Sequence, residues 1–595
     1  MLTAHPHDDK ELHKFPWKLL RNWNLWHIWV VMKRLLLPML GLLAALSQPV
    51  YAATQDSILR AREGAANLLR GKYEQAIASF DTALTAGGLA DVNRANILND
   101  RGVAKWRLKQ TKEAIADFNK SIVLFPDYAI VYNNRGNALL DLGENEQAVL
   151  DFSRAIELAP GYGAAFNNRG NALLSLGRSD EALKDFRKAV QLMPTNAVPY
   201  NGRGQTHTAL GRPFAGVRDF TRALALNAKY SGARQNRGEA LFKLDRDNEA
   251  IGDYTELIAQ NPDVGGLYLA RGQAYVRTRR YNAAVRDLNK AIMLDGSLME
   301  AYRARGNAYL DVKQVDKARD DLSIALSLVP DDPAALTGRA RTYFLQGLPE
   351  EALADLDKAL STDSTFVEAL ALRGQVYASV GRTEDAANDY KAALVADANI
   401  EVARVGLQKM GVELPPQRER KYVGEPVKGW RVSLEPNGQY MAFNRRYPKL
   451  KVPLEMYGSG EPVIVDWTLM QYTLQGIGLL RYRAGSLPEK NATSYEYSAV
   501  VDLWKGKVVA VEPHSWGDAK ARWEWKQASV SVTDPDGVTN EVVLRKAPSE
   551  SFGRDGQYWQ DDVWWSQGGS QSQRRPAPRR PRGGGGGGLF DWLFN

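Results

Sequence analysis

His207 and His514 are the only histidines beyond residue 52, and the chain contains no cysteine. Disulfides, thiolate nucleophiles and Cys-based zinc sites are thereby excluded, and the residues imply neither a metal nor a cofactor. The spacings that place a nucleophile, a metal or a phosphate (GxSxG, HExxH, the P-loop and the dinucleotide fingerprint) do not occur in the sequence. A Ser-His-Asp arrangement around His514 stays open at this level, and paired carboxylates of the glycosidase kind are unreadable without a fold. The inventory predicts a binding protein rather than an enzyme.

Two other polar patterns do have regular spacing. Arg101, Arg135, Arg169, Arg203, Arg237, Arg271, Arg305, Arg339 and Arg373 recur every 34 residues, and each is followed sixteen residues later by an aspartate: Asp117, Asp151, Asp185, Asp219, Asp253, Asp287, Asp321, Asp355 and Asp389. Nine pairs in nine places predict an inter-helix ion pair that fixes register, not nine active sites. Amides keep the same period around the Arg-Gly glycine. Asn99, Asn133, Asn167 and Asn201 stand three before it; Asn134, Asn168 and Asn236 stand two before it; Asn137, Asn171 and Asn307 stand one after it. Asparagine is a poor helix former, so stacking it in helices costs stability. Its side chain offers both donor and acceptor, which suits an extended backbone of any sequence. These ten residues are the candidate peptide-binding set; the alternative is that the amides are solvated or bond between adjacent repeats.

The elements that position them follow from the same period. Twelve residues after each Arg-Gly glycine comes a small residue, such as Ala114, Ala148 or Ala182, and four further on a large one, such as Phe118, Phe152 or Tyr254. Prolines such as Pro126, Pro160 and Pro194 end several units. A small residue lets two helix axes approach, the large side chain fills the gap beside it, and proline stops the second helix. The 34-residue unit resembles the tetratricopeptide repeat, a helix-turn-helix hairpin. The resemblance covers about 57 to 412 and includes a degenerate first unit with Gly64, Ala76 and Phe80 and a capping helix at 400 to 411 ending in glycine. It implies an α-solenoid of about ten helical hairpins in a right-handed superhelix, whose first helices line a concave groove. The asparagine rows look like the amide-lined groove of the repeat domain in O-linked N-acetylglucosamine transferases, which grips extended polypeptide; no glycosyltransferase domain follows here. Lys243, Arg277, Arg303 and Arg341 make the C-terminal groove more basic.

Flanking segments set the rest of the organisation. Met32, Lys33 and Arg34 precede a twelve-residue apolar run and then SQPVYA ending at Ala52, with Val50 and Ala52 in the small-residue positions of a cleavage site. This layout predicts a signal peptide over 32–52 and a secreted or periplasmic product, since the run is too short to span a bilayer. Residues 1–31 read as an extension or a mis-assigned start. After a Pro-rich linker at 413–424, residues 425–548 alternate β-branched and aromatic residues between turn signals and predict a small antiparallel β sandwich or barrel. Trp516, Trp523 and Trp525 in that region form a candidate glycan-stacking row, or simply core. The tail at 549–595 is rich in Arg and Gly and ends in LFDWLFN; its composition predicts disorder and a tether to anionic polymer, lipid or a partner groove.

A net charge of +8 spread over 595 residues does not indicate nucleic-acid binding. The sequence therefore predicts a Gram-negative periplasmic scaffold that binds proteins or peptides in an amide-lined groove. The alternative is an envelope-polymer binder that uses the Trp-rich β domain and basic tail.

Overall fold

A computed structural model describes residues 55–397, 400–415 and 421–544, except 428, 436–437, 446–449, 458–459, 471–475, 486–494, 504–505, 517–518, 527–528, 535–536 and 538. The expected leader and extension and the Arg/Gly-rich tail lie outside the described residues. Helix α1 covers 55–69, and twenty further helices follow as antiparallel hairpins, from α2 (Tyr73–Ala86) and α3 (Asp91–Arg107) to α19 (Val367–Ser379), α20 (Thr383–Ala396) and the capping helix α21 (Glu401–Lys409). The Arg-Gly pair lies on the first helix of each unit (helix A), and the small and large residues lie on the second (helix B).

Steric fit explains why glycine sits at the crossing. A Cβ added at Gly102, Gly204 or Gly374 would lie 2.6, 2.6 and 2.7 Å from the ring of Phe118, Phe220 and Tyr390. Even Gly64 of the degenerate first unit would meet Phe80 at 2.6 Å. The one alanine, Ala340, faces Leu356 rather than an aromatic ring. A helices of consecutive units contact one another directly, α5 (Ala129–Asp141) with α7 (Gly163–Ser175) and α7 with α9 (Ala197–Ala209). The A layer is thus the closely spaced, inner layer of the stack.

The arginine ladder has one geometry throughout. In all nine units Nε and Nη2 donate to the two oxygens of the aspartate sixteen residues on, at 2.6 to 2.9 Å. In seven of them Nη1 also donates to the residue after the large side chain of the preceding unit, the first six to Asp81, Asn119, Ser153, Thr221, Thr255 and Asn289. Arg373 does the same with Asp357. Each arginine thus pins the two helices of its unit, seven of them also tie that unit to the one before, and the bidentate fork makes the register specific.

The C-terminal region is antiparallel throughout. Strands β1 (Lys421–Val427), β2 (Trp430–Leu434), β3 (Tyr440–Asn444) and β4 (Lys451–Pro453) form one sheet. Strands β5 (Val463–Leu469), β6 (Ile477–Arg483), β7 (Tyr495–Asp502), β8 (Lys507–Trp516) and β9 (Ala519–Lys520) form a second, and β10 (Arg522–Trp525), β11 (Ser529–Thr533) and β12 (Thr539–Val543) a third. Strand β1 starts at Lys421, inside the stretch read as linker. Where one sandwich or barrel was expected, three sheets stack, because the middle sheet is apolar on both faces. Ala499 and Val501 of β7 pack with Val432, Val452 and Tyr482 on one side, while Val500 packs with Val530, Val532 and Val542 on the other.

Candidate functional site

The amide rows split by environment. Asn99, Asn133, Asn167 and Asn201 are buried. Asn134 donates Nδ2 to Oδ1 of Asn99 at 2.8 Å, Asn168 to Asn133 at 3.0 Å, and Asn236 to Asn201 at 2.9 Å. Six of the ten candidate residues therefore belong to an inter-unit amide ladder beside the arginine ladder, while Asn167 donates within its own unit to Asn168 at 3.2 Å and its buried Oδ1 has no hydrogen-bond partner among the described residues. Asn137 and Asn171 stay half-buried and Asn307 exposed on the A-helix face. This face also carries residues that the sequence reading passed over. Trp106, Leu140, Leu174, Phe242, Val276, Leu310 and Phe344 each stand four after the Arg-Gly glycine position, and all are half-buried. Residues at i, i+4 and i+7 share a helix face, so Asn133, Asn137 and Leu140 line one stripe. The 34-residue period of large apolar side chains at this offset was the available signal.

Two of the four candidate basic residues in the C-terminal units are neutralised. Arg303 donates to Asp332 at 2.8 Å, and Arg277 lies 4.2 Å over the Phe242 ring while pairing with Asp245 and Asp247. Lys243 and Arg341 are exposed.

Neither histidine forms a nucleophile–base pair. Nε2 of His514 faces the Arg481 guanidinium at 3.3 Å, and Nδ1 faces Ser498 Oγ at 3.2 Å. Arginine only donates, so Nε2 must accept and Nδ1 carries the proton toward the serine. An imidazole in that tautomer has no lone pair left for the serine proton, and burial with the arginine holds its pKa below the ordinary histidine value. His207 occupies the place where Leu139, Leu173 and Leu241 are buried in other units, and burial keeps it neutral.

Trp523 and Trp525 share a face, as their spacing predicts, and their rings stack at 5.8 Å. They are half-buried on the valine core of the third sheet, with Val530 and Val532 as cross-strand partners. This is a packing environment. Trp516 ends β8, but its side chain lies outside the described residues.

The β domain is seated on the array. The seat is centred on α10 (Pro213–Leu226), the B helix of the fifth unit when the degenerate one is counted first. Pro213 at the start of α10 has no N–H, and the N–H groups of Phe214 and Ala215 donate to Oε1 of Glu455 at 2.8 and 3.2 Å. The first N–H groups of a helix have no partner inside it, and Glu455 Oε1 accepts from two of them. Phe214 enters the β core beside Trp430, Tyr482 and Tyr497. Arg212 donates to the Met456 carbonyl at 2.5 Å and lies over the Tyr457 ring, and Arg246 donates to the Val509 carbonyl at 3.1 Å. Arg218 approaches Glu512 at 3.9 Å and Asp534 at 3.8 Å.

The repeat encodes this seat by departing from its own pattern. Ten residues after the Arg-Gly glycine position the other eight units carry Lys112, Glu146, Asp180, Asn248, Asn282, Asp316, Glu350 and Glu384; only this unit has an aromatic, Phe214. Where neighbouring units offer an acceptor to the ladder, Arg187 stands instead, and Asp534 of the β domain comes within 3.9 Å of Arg203.

A curved stack of near-identical helical hairpins, keyed by glycine at each crossing, is an α-solenoid of the repeat-scaffold class. Models of the tetratricopeptide repeat match residues 64–129, 133–197 and 303–365, and a second such model matches 266–297. The helical array belongs to the tetratricopeptide repeat family. Among solved structures the chain is similar to a tetratricopeptide repeat protein from Parabacteroides merdae (22% identity over 41% of this chain and 97% of that one, TM-score 0.37). It is also similar to YrrB, described as a TPR protein with an unusual peptide-binding site (26%, 32% and 97%, TM-score 0.29), and to MamA (24%, 30% and 96%, TM-score 0.26). No curated protein matches the chain. Among the described residues no helix is long and apolar enough to cross a membrane.

Proposed function

We propose that this protein is a secreted, periplasmic scaffold whose A-helix groove captures a polypeptide partner. The family supports a protein-interaction scaffold. The observation that supports the groove is the row of half-buried apolar residues, Trp106, Leu140, Leu174, Phe242, Val276, Leu310 and Phe344, running beside outward amides such as Asn137 and Asn171. Apolar side chains supply burial and the amides pair with backbone, the combination that grips a chain without reading much of its sequence. The inter-unit amides hold the groove's register rather than touch the ligand. The β domain sits chiefly on a B helix, α10. The compartment rests on the leader-like residues 32–52.

The test is affinity capture from a periplasmic extract with residues 53–595 carrying Leu140→Glu and Leu174→Glu. Loss of about tenfold or more in retained partner, with unchanged helicity, supports the groove. Undiminished capture rejects it.

A further inference from the structure

The β domain's seat buries ionisable groups from both sides in one layer. Glu455 satisfies Oε1 with the Phe214 and Ala215 amides, while Oε2 is buried with no hydrogen-bond partner among the described residues. Glu512 accepts from Asn540 Nδ2 at 2.7 Å through Oε1, and its buried Oε2 likewise has no hydrogen-bond partner among the described residues. The nearest cations do not hydrogen-bond these oxygens: Arg218 is 3.9 Å from Glu512, and Arg212 donates Nε to the Met456 carbonyl while its buried Nη1 has no hydrogen-bond partner among the described residues. A buried carboxylate oxygen without a donor is costly when charged and much less so when protonated.

We propose that the seat is a proton-controlled latch: the β domain is clamped to the α10 edge of the array when Glu455 and Glu512 are protonated and released when both ionise. This does not rest on the groove reading. The groups facing Glu455 are Arg212 and Arg218 from the array and Tyr482 and Tyr497 from the β sheet; those facing Glu512 are Arg218 and Asp219 from α10, with Asp534 after β11 and Asn540 in β12. Burial pushes both carboxyls up to about 7, the arginines offsetting only part of the effect. His207 does not oppose the switch, because burial and the neighbouring arginines hold it well below the ordinary histidine value and so keep it neutral.

The sign follows from linkage. Both carboxyls bind protons more tightly docked than free, so docking is strongest in acid and weakens as pH rises through 7. Between pH 6 and pH 8 each carboxyl weakens docking about tenfold, so the pair weakens it about a hundredfold.

The experiment is hydrogen–deuterium exchange on the full chain, following the segment 212–217, which holds the Phe214 and Ala215 amides that donate to Glu455. After correction for intrinsic exchange, its protection should fall about a hundredfold from pH 6 to pH 8. It should fall only about tenfold in Glu512→Gln, and stay level in Glu455→Gln with Glu512→Gln. Protection that is independent of pH in the wild type overturns the latch, and so does a Glu512→Gln variant that tracks it. Should the double variant fail to fold, the single one still decides.

Discussion

Phe214→Asn gives the seat the residue type that two other units carry at the equivalent place, Asn248 and Asn282, both exposed. The array therefore loses nothing that its other units need. The β domain loses an aromatic that is 6% exposed among Trp430, Tyr482 and Tyr497. Burying a phenylalanine is worth about 1.5–3 kcal/mol, and seating an amide in the same apolar pocket costs about 1–3 kcal/mol more. Docking should weaken by about 3 kcal/mol, a factor of roughly 150 in the equilibrium. Small-angle scattering of the full chain should show a larger maximum dimension. Calorimetry should show the β transition moving down while the array transition holds its place. An unchanged dimension and β transition would refute Phe214 as the anchor. A lower array transition would refute the claim that it is spare to the solenoid.

The ladder and the helix crossings give sharper stability tests. Asp253→Asn leaves Arg237 without its buried bidentate partner and should cost about 2–4 kcal/mol in denaturant unfolding, whereas the exposed Asp320→Asn should cost under about 0.5 kcal/mol. Equal effects would mean that the ladder adds nothing beyond surface charge. Gly374→Ala puts a Cβ 2.7 Å from the Tyr390 ring and should cost about 1–3 kcal/mol. Gly252→Ala, on an exposed stretch of α12 (Asp247–Gln260) with nothing within 4 Å, should stabilise by about 0.5–1 kcal/mol.

The array was legible because every unit repeats the same contacts 34 residues apart, so the Arg-to-Asp spacing already named both ends of each ion pair. The amide rows were legible as rows but not by role. Whether Asn133 faces a ligand or Asn168 depends on the stagger between neighbouring A helices, which no single unit contains. In the β domain, alternation located the strands, while the number of layers turned on β7 being apolar on both faces, which a short apolar run does not distinguish from one buried face. The seat joins Glu455 to Phe214 across 241 residues, and no local pattern carries such a contact. Its trace in the sequence is negative: Phe214 and Arg187 break a rule that their counterparts keep. A repeat protein offers this advantage, since each unit is a control for the others.

The groove is tested most directly by a photo-crosslinking amino acid placed at Leu140 on the A-helix face, or at Val123, which is 79% exposed on a B helix, in the otherwise unaltered chain exposed to its native extract. The account predicts a discrete crosslinked polypeptide from position 140 and none from 123. A partner trapped at Val123 and not at Leu140 would contradict it.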